Sequence, residues 1–113
     1  MEFEVGQGVL GKIRFVDGSM PDYDRPYLIV KITEAEVFLL NVSSVRGKEW
    51  KLALKSNYGL KQYRPPFIKP SFVKLDSLVR ISKQDCQTMR LLYGGSCLND
   101  NDLQTILRKL STQ

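Results

Sequence analysis

The chain contains no histidine. The side chain best suited to moving protons near neutral pH, and the commonest neutral metal ligand, is therefore missing. Cysteine is almost as scarce. Cys86 and Cys97 are the only two, and no zinc-ligand spacing can be built from them. They could pair with each other, but in a cytosolic chain both are expected as buried thiols. No window approaches the ~18 apolar residues of a membrane span, so no membrane partner is expected. The opening Met1-Glu2-Phe3-Glu4 has no basic segment leading into an apolar one. No secretion signal is read there, and a cytoplasmic location is expected. Internal repeats and low-complexity segments are absent as well. These absences point away from cofactor and metal chemistry.

Acid is nearly missing from one stretch. Between Val45 and Lys74 the basic residues are Arg46, Lys48, Lys51, Lys55, Lys61, Arg64, Lys69 and Lys74, against Glu49 alone, for a local charge of +7. The whole chain is +5, so the remainder carries −2. Charge concentrated in this way attracts a polyanion with an affinity that falls with salt, although a solvated basic loop has the same composition.

What is present suits one globular domain covering residues 1–113. The length of 113 residues is too short for two ordinary domains, and 42% apolar with 26% charged residues supports a core. Val9 to Val16 reads as a first strand with Ile13 and Phe15 inward and Lys12 and Arg14 outward. A turn-rich loop from Asp17 to Asp24 follows. Tyr27–Ile32 and Glu36–Val42 are strand-forming runs joined at Thr33-Glu34-Ala35-Glu36, a hairpin. Trp50, Leu52 and Leu54 alternate with Lys51, Ala53 and Lys55 as another half-buried strand. Ser56 to Ser71 reads as a loop with room for a short strand, since Pro65, Pro66 and Pro70 oppose longer elements. Phe72 to Ile81 reads as the last long strand. Ser82 with Asp85 marks a helix start, and Gly94-Gly95 its end. Asn99 with Asp102 caps a second helix, with Leu98 and Leu103 in staple positions. Its stripe of Leu103, Ile106, Leu107 and Leu110 faces the core. Strands followed by helices define an α+β fold, a curled sheet or small barrel with a C-terminal helix.

The hairpin carries the main functional signal. With Glu34 and Ala35 in the turn, opposing residue numbers sum to about 69, which sets Arg25 opposite Ser44 and beside Ser43. A guanidinium and one or two hydroxyls at the open end of a hairpin form a phosphate site, because arginine forks onto phosphate oxygens and hydroxyls add hydrogen bonds. A structural alternative pairs Arg25 with Asp22 or Asp24.

The order of these segments resembles the MazF/PemK toxin endoribonucleases. Gly11 to Phe15, Asp17-Gly18-Ser19, and Arg25-Pro26 leading into an apolar strand resemble the family's opening. Val42-Ser43-Ser44 resembles its Ile-Thr-Ser segment. Ser71 to Ile81 resembles a later strand ending in an Arg-Ile or Arg-Thr turn, and Leu98 to Leu110 resembles its last helix. The resemblance implies an SH3-like β-barrel, a homodimer, metal-free cleavage of single-stranded RNA, and silencing by an acidic antitoxin. It maps the active-site Arg and hydroxyl onto Arg25 and Ser43. Ser43 stands where the family usually has Thr, the His used by some members is absent, and a later Arg/Asp pair has no clear counterpart.

Cleavage of this type uses the RNA's own 2′-hydroxyl as nucleophile. Arg25 would stabilise charge on the phosphate and Ser43 would position it. Asp17, Asp22 and Asp24 are the candidate bases. Lys12, Arg14, Ser44, Arg46, Lys48 and Lys51 are the expected substrate contacts. Tyr58 and Tyr63 are expected as exposed stacking platforms, and Trp50 as core. Two other readings use the same residues: a non-catalytic nucleic-acid- or protein-binding barrel, and a gyrase-poisoning toxin of the same fold. An exposed apolar edge on the last helix would favour the latter.

Overall fold

Two strands, β2 (Arg25–Ile32) and β3 (Glu36–Ser44), form the centre of the molecule. A computed structural model describes residues 2–15 and 17–112. The hairpin turn falls at Thr33–Glu36, where the Thr33 amide donates to the Glu36 carbonyl at 2.9 Å. Near the turn the expected register holds, with Ile32 opposite Val37 and Lys31 opposite Phe38. A bulge at Val30 then shifts it, so that Leu28 faces Leu40 and Tyr27 faces Asn41. One extra residue on β2 slides every later partner by one. Continued to the strand end, this register sets Arg25 against Ser43 rather than Ser44.

Both faces of the hairpin are apolar, and each is covered. Leu28, Val30, Leu40 and Val42 belong to one core with Val73, Leu75, Leu98, Leu103 and Ile106. Tyr27, Ile29, Val37 and Leu39 belong to a second with Val9, Cys86 and Met89. Strand alternation sends neighbouring residues to opposite cores, which is why Tyr27 through Val30 form an unbroken buried run.

The remaining strands are β1 (Gly8–Gly11), β4 (Asn57–Gly59), β5 (Ser71–Lys74), β6 (Val79–Ser82) and β7 (Arg90–Leu91). All pairings are antiparallel in a seven-stranded sheet of order β4-β5-β3-β2-β1-β7, with β6 also on β3. The first strand is shorter than expected: it ends at Gly11, Phe15 is 45% exposed, and Val16 lies outside the described residues. The long strand expected from Phe72 to Ile81 is two. β5 pairs with the C-terminal half of β3 and β6 with its N-terminal half. At the break, Ser77 Oγ accepts from the Asn41 amide at 2.8 Å and donates to the Lys74 carbonyl at 2.6 Å. A side chain replaces a backbone partner there, and the chain turns.

Trp50-Lys51-Leu52 is not a strand. Glu49–Ala53 is a 3-10 turn, and Trp50, expected in the core, is 65% exposed. The helix expected from Ser82 to Gly94 is one turn, α1 (Lys83–Cys86), capped by Ser82 Oγ accepting from the Asp85 amide. Leu92–Gly95 is a second 3-10 turn. The C-terminal helix α2 (Asp100–Ser111) follows the expected cap, with Asn99 accepting from the Asp102 amide. Leu103 and Ile106 are buried and Leu107 and Leu110 pack against the same core. Each fully buried side chain of this size contributes about 1.5–3 kcal/mol. Asp102, 1% exposed, ties α2 to the Lys61-Gln62 loop by accepting from the Gln62 amide at 2.9 Å and the Tyr58 hydroxyl at 2.7 Å. Among the described residues no helix is long and apolar enough to cross a membrane.

Candidate functional site

At the open end of the hairpin lies a cleft of about 450 Å³. β2 brings Arg25 and Pro26 to it, and β3 brings Asn41 to Ser44. Pro66, Phe67 and Ile68 form an apolar wall. That wall leans on β1, since a Cβ on Gly8 would come within 2.9 Å of the Pro66 ring.

Arg25, Lys48, Lys69, Lys74 and Arg90 line the cleft, and among the described residues no Asp or Glu does. Lys74 reports the resulting field. Burial, followed by the nearby charges of Lys51, Lys48 and Arg25, pushes its pKa below the ordinary lysine value. Such a cavity favours an anionic guest.

Arg25 makes no ion pair with any described residue. Among the described residues the one salt bridge is Arg80 to Glu36, at 3.8 Å. The alternative pairing of Arg25 with Asp22 or Asp24 is therefore not formed. The guanidinium lies 5.0 Å from the Tyr23 ring centroid and 5.6 Å from that of Phe15. Its Nη2 donates weakly to the Tyr23 hydroxyl at 3.5 Å. Its Nε is buried and has no hydrogen-bond partner. Aromatic faces orient the group and leave most of its donors uncommitted, which suits a charged ligand.

Ser43 stands in the same cleft, and Lys48 Nζ donates to its Oγ at 3.0 Å. Because the oxygen accepts, the Ser43 proton is free to be donated onward. Ser44 also lines the cleft, and its Oγ accepts from the Arg46 amide at 3.3 Å. Thus Arg25, Ser43, Ser44 and Lys48 come together as the sequence suggested. Arg46 is exposed beyond the lining residues, and Lys51 acts at the margin through its charge on Lys74.

Other expected contacts lie elsewhere. Lys12 and Arg14 line a separate cleft of about 430 Å³ with Arg80 and Asp85. Arg14 Nη1 is engaged by the Gly18 carbonyl. Tyr58 and Tyr63, expected as exposed platforms, pack against the core beside α2. Burial, with the Asp102 carboxylate as its hydrogen-bond partner, raises the Tyr58 pKa to about 12. Trp50 is the exposed ring of that region, with Lys51 Nζ 5.5 Å from its centroid. None of the candidate bases lines the cleft. Asp17 instead accepts from the Ser19 hydroxyl and amide at 2.6 and 2.9 Å, and these bonds lower its pKa. α2 shows no exposed apolar edge, because its stripe is packed.

Little in the sequence announces Tyr23, Arg90 and Tyr93 as residues of this cleft. Arg90 reaches the cleft because β7 pairs Arg90 with Leu10 of β1, a contact no local pattern encodes. Lys69 and Lys74 were visible only as part of the basic stretch. Cys86 is a buried free thiol, its pKa raised to about 11 by burial. Cys97 is free and half-buried. No group of three or more His, Cys, Asp or Glu gathers among the described residues in a way that could hold a metal ion. No protein-family model matches this chain, and no curated protein matches it.

Proposed function

We propose that the protein is a MazF/PemK-like toxin endoribonuclease that cleaves single-stranded RNA without a metal ion. The observation carrying this reading is Arg25, a guanidinium free of any carboxylate, in a cleft with the Ser43 hydroxyl, Lys48 and further cations. In the reaction the 2′-hydroxyl gives its proton to water as its oxygen attacks the adjacent phosphorus, the bond to the 5′-oxygen breaks, and that oxygen takes up a proton from water. A 2′,3′-cyclic phosphate and a 5′-hydroxyl result. Arg25 stabilises the charge building on the phosphoryl oxygens, and Ser43 and Lys48 hold the group in place. The same reading takes the curled antiparallel sheet with its C-terminal helix as an SH3-like barrel. It places the protein in the cytoplasm as a homodimer, and assigns the basic cleft to an acidic antitoxin segment when the toxin is silent. The test is incubation with a long RNA in EDTA followed by end-group analysis. Cleavage leaving 5′-hydroxyl ends is expected; 5′-phosphate ends, or activity lost on chelation, would contradict it.

One observation favours a second reading, a non-catalytic nucleic-acid-binding module. Among the described residues no carboxylate lines the cleft, and the chain has no histidine, so the ordinary acceptors for the 2′-proton are missing there. Tight RNA binding with no cleavage would select this reading.

A further inference from the structure

The turn after β7 presents an aromatic ring for which the fold has no evident use. Tyr93 has φ +53° and ψ +40°, the left-handed region that bulky side chains avoid. Gly94 and Gly95 continue with φ +63° and +90°. The strained turn is held from below. The Gly95 carbonyl accepts from Nε2 of buried Gln7 at 3.1 Å. A Cβ on Gly95 would come within 2.9 Å of Leu91, which is paired to Val9 of β1. A conformation of this kind persists only where surrounding contacts impose it, and such residues gather at binding sites.

Tyr93 lines the Arg25 cleft and is 52% exposed. Two other aromatic rings line it. Tyr23 already stacks on the Arg25 guanidinium and Phe67 is buried. Among the described residues Tyr93 makes no side-chain hydrogen bond and carries no cation on its ring. Tyr23 is 63% exposed but has Arg25 over its ring, so Tyr93 is the exposed ring of the cleft that carries no cation among the described residues.

We infer that Tyr93 is a stacking platform for a nucleobase next to the phosphate bound at Arg25. The inference rests on the proposed RNA reading. It adds a subsite that senses bases rather than backbone charge: Arg25, Ser43 and Lys48 take the phosphate, and Tyr93 takes the flat, uncharged part of the strand.

The probes are a 2′-O-methyl oligonucleotide of mixed sequence, whose blocked hydroxyl prevents cleavage, and the same backbone without bases. Tyr93→Gly should weaken binding of the base-bearing strand about 5- to 150-fold, the range for one stacked base. Tyr93→Phe and Tyr93→Trp should retain it. All should bind the abasic strand like the wild type, and KM on cleavable RNA should rise with Tyr93→Gly by a similar factor. Glycine relieves the left-handed strain, so Tyr93→Gly should melt no lower than the wild type. If Tyr93→Gly binds the base-bearing strand normally, or loses binding only by unfolding, the platform is refuted and the RNA reading stands. If the wild type neither binds nor cleaves RNA, both fall.

Discussion

Replacing Arg25 with alanine should cut activity steeply and leave the fold almost untouched. Two ring contacts are lost, at 5.0 and 5.6 Å, each worth about 0.5–1 kcal/mol where partly exposed. Against that, a buried Nε without a partner disappears, and an unsatisfied buried donor costs about 1–3 kcal/mol. Pressure on Lys74 from a like charge is also relieved. These effects offset one another, leaving stability within about 1 kcal/mol of the wild type and Tm within about 5 °C. Activity should fall about 10²- to 10³-fold, the scale for losing one preorganised donor to a developing oxyanion. Arg25→Lys should recover little of it, because an ammonium cannot fork onto two oxygens. The assay is the cleavage rate of end-labelled RNA in EDTA, beside thermal unfolding followed by circular dichroism. A rate within tenfold of the wild type for Arg25→Ala would refute the site. A Tm lowered by more than about 10 °C would refute the energetic account and make Arg25 a clamp holding Tyr23 and Phe15.

The lysines should separate by location. Replacing Lys48, Lys51 and Lys55 with Gln should reduce the slope of log affinity against log salt by about 0.7 for each lysine that contacts a phosphate of single-stranded RNA, and an unchanged slope would mark them as a solvated face. Lys74 has a folded pKa below its unfolded value, so the folded state holds fewer protons and stability rises as pH climbs through that lowered pKa. Arg25→Ala should move the Lys74 pKa upward, which NMR titration of the lysine would detect. Asp102 behaves oppositely. Burial raises its pKa, but hydrogen bonds from Asn99, Tyr58 and the Gln62 and Lys61 amides outweigh this and hold it below 3.8. Its stabilisation is therefore present above about pH 4 and lost as pH falls through the lowered folded pKa. Asp102→Asn should cost roughly 2–4 kcal/mol at pH 7 and progressively less in acid. A pH-independent loss would contradict the charge argument.

Where local chemistry decides structure, the sequence was a good guide. The Thr33–Glu36 turn, the Ser82 and Asn99 caps and the α2 stripe each depend on residues a few positions apart, and each formed. The failures share a cause. Phe72 to Ile81 reads as one strand by composition, but Ser77 engages Asn41, 36 residues away, and splits it. Trp50, Leu52 and Leu54 alternate like a strand, yet they lie in or beside a 3-10 turn and join no strand of the sheet. β4 occupies the open side of β5 instead. Tyr58 and Tyr63 read as exposed from the charge of their sequence neighbours, but both pack against the core. Tyr58 was drawn inward by a carboxylate 44 residues away, to which its hydroxyl donates at 2.7 Å.

The same distinction runs through the cleft. Arg25, Ser43 and Lys48 lie within one hairpin and its extension, so their convergence could be argued from turn geometry. Even there the bulge at Val30 changed the partner, exchanging Ser44 for Ser43. The favourable surroundings of Arg25 come from farther away: Arg90 and Tyr93 through β7, Lys69 and Lys74 through β5. The hairpin thus carries the groups that would meet a phosphate. The strands on either side of it turn that point contact into a positively charged, partly apolar cleft of about 450 Å³. A basic patch alone would bind any polyanion. Here a guanidinium held between two rings, a hydroxyl with its proton free and an open tyrosine impose spacing and direction on what binds.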